Sequence, residues 1–163
     1  MFGAVGPDLC QCCYRTRRSH SIRWLVVNRR ELQMLAQVRL EEAKALLGAG
    51  LPDGAYYLAG YAVECALKAC IARGTQRYDF PEKRSVDASH THNLKDLIRV
   101  ANLEVARLEQ ARNDSVFRNN WDFVQEWSEQ SRYRRHSPDM AKALVEAVGN
   151  GKHGVMTWIK RHW

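Results

Sequence analysis

The chain has 163 residues, 45% apolar and 26% charged, the profile of one globular domain with room for a sizeable core. Its formal net charge is +7. Arg15, Arg17, Arg18 and Arg23 against Asp8 place +3 of that in the first 28 residues, so the body is only mildly basic. A weak preference for nucleic acid or nucleotide phosphates is permitted but not required. Five cysteines, an odd number without a regular framework, argue against a disulfide scaffold.

Residues 1–28 lack a helical period, have Gly and Pro early, and carry a basic run. They read as a disordered arm. A signal peptide has its charge first and its apolar stretch second; here the order is reversed. Val26 and Val27 are residues that an alternative GTG start codon encodes, and helical patterning begins just after them. The sharper expectation is that this arm is foreign to the natural product, and a mass spectrum of native protein retaining Cys10, Cys12 and Cys13 refutes it. That C-x-C-C cluster has metal-ligand residue types but no second half-site, so no metal site is expected.

From residue 29 to about 48 apolar residues recur at threes and fours: Leu32, Leu35, Ala36, Val38, Leu40, Ala43, Leu46 and Leu47. Asn28 or a neighbour can cap this first helix, and Gly48 and Gly50 end it. The second helix, Asp53–Arg73, has almost no polar face, and Asp53 after Leu51-Pro52 reads as its N-cap. A helix apolar all round is a buried one. Its length suits a membrane span, but Glu64 and Lys68 interrupt its middle, so a core helix is expected. The break between these helices is short, which makes them antiparallel neighbours. Ala55, Ala59, Gly60, Ala62, Ala66 and Ala69 let other helices approach closely. Cys65 and Cys70 read as small core residues. Tyr57, Tyr61, Glu64 and Lys68 step by four, three and four, which sets them on one line of the helix.

Thr75–His90 is too polar for a strand and reads as a long loop. A third helix opens at Thr91–Asn93 and buries Leu94, Leu97, Ile98 and Val100. A loosening at Ala101-Asn102 precedes further turns over Leu103–Arg112, with Val105, Leu108 and Ala111 inward. Asn113-Asp114-Ser115 recaps a fourth helix rich in core anchors, with Val116, Phe117, Trp121, Phe123, Val124 and Trp127. Ser131–His136 reads as a basic linker. Ser137-Pro138-Asp139 starts a fifth helix that reaches about Val148. Gly149-Asn150-Gly151 breaks it, and a short amphipathic piece with Val155, Met156, Trp158 and Ile159 follows. With no strand pattern and no internal repeat, the fold class is all-α, an up-and-down bundle of about five helices.

Several of these segments together resemble the HEPN family. The second helix carries A-x-E-x-x-L-K-A on Ala62, Glu64, Leu67, Lys68 and Ala69. His92 and Leu94 supply a His-x-Leu start to the next helix, and Arg132-Tyr133 an Arg-Tyr before the last. The resemblance covers residues 29–163 and leaves the arm outside. It implies a helical bundle that usually dimerises and binds nucleotides or RNA. Many members stand beside a minimal nucleotidyltransferase in a toxin–antitoxin-like pair. Others cut RNA without a metal, using an Arg, a gap of four to six residues, and a His at the start of the last helix.

That Arg–His chemistry is sound: His moves the proton of a 2′-hydroxyl or leaving oxygen, and Arg stabilises charge on the phosphate. Here the pair at the expected place is Arg132 and His136 with only three residues between them. Arg84 and His90 have five between them but stand before the third helix, and such spacings arise by chance. His136 also reads simply as a solvated residue at a helix start. Glu64 and Lys68 read either as a structural pair or as the wall of a cleft in which Lys68 holds a phosphate, with Arg132 nearby. His92 reads as a residue packing at a helix start. Arg132, Tyr133, Arg134 and Arg135 form the densest basic–aromatic cluster, suited to nucleotide or RNA contact.

The preferred expectation is therefore a cytoplasmic, homodimeric, non-catalytic nucleotide- or RNA-binding domain partnered with a nucleotidyltransferase. Its contact residues would be Tyr57, Tyr61, Glu64, Lys68, His92, Tyr133 and Arg134. The alternative is a metal-independent endoribonuclease using Arg132 and His136. No cofactor is expected in either case.

Overall fold

The computed structural model describes residues 28–74 and 89–163. The expected arm with its cysteine cluster, and the loop stretch that holds Arg84, fall outside the described residues. Helix α1 (Arg29–Gly48) begins at a capping box: Asn28 Oδ1 accepts the Glu31 amide and Glu31 Oε2 accepts the Asn28 amide. Gly50 takes φ +74°, a left-handed turn that glycine adopts without strain. The chain thereby reverses into α2 (Pro52–Gly74), and so short a connection lays the two helices antiparallel along one another.

Helix α2 is the hub of the molecule. It packs against α1 and against the later segments Leu94–Val100, Glu129–Tyr133, Pro138–Gly149 and Val155–Ile159. Ala55, Ala59, Ala62, Val63, Ala66, Leu67 and Ala69 are fully buried, so neighbouring backbones approach on all sides. Among the described residues no helix is long and apolar enough to cross a membrane. One detail corrects the sequence reading. The helix starts at Pro52, and Asp53 lies inside its first turn. A proline is preorganised for the first helical position, which leaves the Asp53 carboxylate available for a tertiary contact.

Next come α3 (Leu94–Val100), α4 (Glu104–Asn113), α5 (Ser115–Val124), a 3₁₀ turn (Glu129–Tyr133), α6 (Pro138–Gly149) and α7 (Val155–Ile159). Asn93, Asp114 and Ser137 cap α3, α5 and α6 with their side chains, as residue type predicts. The described residues thus form an all-α bundle of seven α-helices and one 3₁₀ turn, more pieces than the five expected. The two extra pieces come from a division at Asn102, which adopts φ 55°, a conformation that asparagine tolerates better than most residues, and from the terminal segment Val155–Ile159, which is helical. The linker expected over Ser131–His136 is half 3₁₀ turn, with Ser131 buried.

Phe117, Trp121 and Trp158 meet in the core, with ring centroids 5.3 Å and 6.5 Å apart across Trp158. Val38, Val105, Leu108 and Val116, expected inward, are instead exposed. The reason is geometric. A peripheral helix such as α4, which packs chiefly on α5, has only a narrow buried stripe, and Leu103, Ala106 and Ala111 fill it.

Candidate functional site

The polar line of α2 survives in the fold as a chain of touching pairs. The Tyr57 and Tyr61 rings lie parallel with centroids 6.1 Å apart, and Tyr57 also leans on Trp127 at 6.0 Å. Tyr61 hydrogen-bonds with the Cys65 sulfur, and its hydroxyl is pushed up to about 12, first by burial and then by Cys65. Burial likewise lifts the Cys65 and Cys70 thiols to about 11, so both are neutral core residues.

Glu64 is the centre of this line. Only 2% of its side chain is exposed. Its Oε1 accepts Lys68 Nζ at 2.8 Å, the helix pair expected from the spacing. The same oxygen is 2.9 Å from His92 Nδ1, which reaches across from the start of α3. His92 therefore does more than pack at a helix start: it closes a Lys68–Glu64–His92 triad. Open clefts lie on either side. One, of about 470 Å³, is lined by His92, Lys95, Glu126, Trp127 and Glu129. The other, of about 450 Å³, runs between α1 and α2 and includes Leu32, Leu35, Tyr61, Glu64 and Lys68. Glu129 is held below the usual carboxylate range by its own backbone amide and Gln130, then by the charges of His92 and Arg132. Arg132 does not itself line the first cleft.

The second group of candidates assembles at the N-terminal end of α2. The His136 ring stacks on Tyr56 at 3.8 Å with an interplanar angle of 10°. Its backbone N–H donates to Asp53 Oδ1 at 2.6 Å, and Arg135 Nη1 donates to Asp53 Oδ2 at 3.3 Å. His136 Nε2 is buried and without a hydrogen-bond partner among the described residues. The ring is half-buried and not freely solvated, because Tyr56, on the face of α2 toward the linker, offers a flat apolar platform, and it also lines an open cleft with Asp53 and Arg135. Burial raises the Tyr56 hydroxyl above its ordinary range.

Arg132 lies over the Tyr133 ring at 5.0 Å, a cation–π pair, and Tyr133 is 76% exposed. Arg134 and Arg135 are exposed as well. Among the described residues, no hydrogen bond or ring contact joins Arg132 to His136. The fold thus brings Glu64, Lys68 and His92 together, pairs Tyr57 with Tyr61 and Arg132 with Tyr133, and sets His136 apart. Sequence reasoning missed Asp53 and Tyr56 as anchors of the linker. A clue existed: a run of cations wants a counter-charge, and Asp53 is the acidic residue at the exposed end of the most buried helix.

Fold and site together define a helical-bundle domain with a charged triad on its central helix. A family model of the HEPN domain matches residues 30–161, and the chain belongs to the HEPN domain family. Searches of curated proteins and of solved structures return no significant match.

Proposed function

We propose that this chain is a nucleotide- or RNA-binding HEPN domain without nuclease activity. It works as a cytoplasmic homodimer beside a minimal nucleotidyltransferase. One observation carries the reading: the basic–aromatic segment faces solvent while its histidine is half-buried, with one ring nitrogen enclosed. Arg132, Tyr133, Arg134 and Arg135 are exposed, and His136 lies against Tyr56 with Nε2 sealed from solvent. Exposed arginines and an aromatic face suit phosphates and stacked bases. A general acid or base must reach the proton it transfers, and the enclosed Nε2 of His136 does not.

The test is incubation of purified protein with single-stranded RNA in EDTA, with parallel titrations of RNA and nucleotides. The expected result is intact RNA and saturable binding, weakened by Arg132→Ala and by Lys68→Ala. RNA cleavage by the wild type, abolished in both Arg132→Ala and His136→Ala, overturns the reading and makes the protein an endoribonuclease. Sedimentation measures the dimer, and co-purification with a nucleotidyltransferase encoded beside it measures the partnership.

A further inference from the structure

Glu64 lies in the wall of the 450 Å³ cleft between α1 and α2, and its hydrogen bonding is incomplete. Oε1 takes both Lys68 and His92, which uses that oxygen's two lone pairs. Oε2 is buried and meets no hydrogen-bond partner among the described residues. Buried acceptors are normally paired, and an exception asks for a physical reason.

The surroundings say what kind of donor is missing. Lys68 already neutralises the carboxylate, so a second cation gains little, and a neutral N–H suits the vacant lone pairs. Most of the remaining wall is apolar, with Leu32, Leu35 and Ile71, and the Tyr61 ring, Ser89 and His90 complete it. The volume falls in the range of small-ligand sites. A flat, neutral ring with an amino group on its edge satisfies all three conditions. The last torsion of a Glu side chain is broad, so a small turn of the carboxylate presents Oε2 to the cleft without moving the helix.

Resting on the nucleotide-binding reading above, we propose that this cleft is the base-recognition pocket of the domain. It takes a nucleobase whose exocyclic amino group donates to Glu64 Oε2. A base with a carbonyl at that position sets an oxygen against the carboxylate and is rejected.

Titrations of CMP against UMP, and of AMP against IMP, test this on the full chain. Each pair exchanges an amino group for a carbonyl at one ring position. CMP and AMP are expected to bind about tenfold or more tighter than their partners, the range of one hydrogen bond to a charged group. Glu64→Gln erases that preference. Ala72→Trp, at a half-buried wall position, fills the cleft and abolishes mononucleotide binding, while RNA binding through Arg132 persists. Circular dichroism confirms that both variants are folded. Equal affinities within each pair, or mononucleotide binding unchanged by Ala72→Trp, overturn the pocket and leave the RNA-binding reading standing. Absence of any nucleotide or RNA binding overturns both.

Discussion

Gly60 shows how much one missing side chain decides. A Cβ built there falls 2.2 Å from Cγ of the Trp127 indole and 2.3 Å from its Cδ1, far inside contact distance. Alanine is the better helix former by about 1 kcal/mol, so propensity alone predicts that Gly60→Ala stabilises. Overpacking a filled core costs about 1–3 kcal/mol, and here it wins. Gly60→Ala is expected to lower the urea midpoint, and Trp127→Leu in the same chain to recover part of the loss. A wild-type midpoint in Gly60→Ala refutes the packing argument. Asp114 supplies the second residue-scale prediction. The Phe117 amide first, and then His153, hold its carboxyl below the usual range. A depressed folded pKa contributes stability that is full above the unfolded pKa, near 4, and is lost as pH falls through the folded pKa. Calorimetry should therefore show Asp114→Ala melting below the wild type at pH 7, with the gap closing as pH drops below about 4. A gap constant with pH contradicts it.

At the scale of elements, the segment from the 3₁₀ turn to α6 is held against the end of α2 chiefly by Asp53 and Tyr56. The Arg135 side chain is 97% exposed, so its ion pair contributes little. The bond from the His136 amide to Asp53 is the stronger restraint, being charge-assisted and part-buried. Asp53→Ala should leave the helical spectrum intact and loosen the segment. Trypsin is then expected to cut after Arg134 and Arg135 faster than in the wild type, as mass mapping of early fragments will read. Unchanged cleavage rates at those two sites exclude the tether. Ser137 and Pro138 would still start α6 correctly in that variant, because their capping geometry is local.

The whole molecule is a set of helices gathered round α2, with its charged triad facing clefts and its basic segment at one end. If RNA lies along Arg132, Arg134 and Arg135, three phosphates are neutralised. The logarithm of affinity should then fall with the logarithm of salt at a slope of about −2 for a single strand. Arg134→Ala should make the slope shallower by about 0.7. A salt-independent affinity is incompatible with phosphate contact by this segment.

Most of the scaffold is legible in the residues, because its determinants are local. The caps at Asn28, Asn93, Asp114 and Ser137 act within one turn, and the unbroken apolar surface of α2 demands burial whatever covers it. The Glu64–Lys68 pair follows from helical spacing alone. The tertiary structure decided everything that depends on a partner distant in sequence. His92 closes the triad across α3, Trp127 occupies the space that Gly60 leaves, Tyr56 takes the His136 ring, and α4 is too peripheral to bury Val105 and Leu108. Periodicity tells which way a side chain points around its own helix. It carries no information on which neighbour is waiting there, because that is set by packing between segments far apart in the chain.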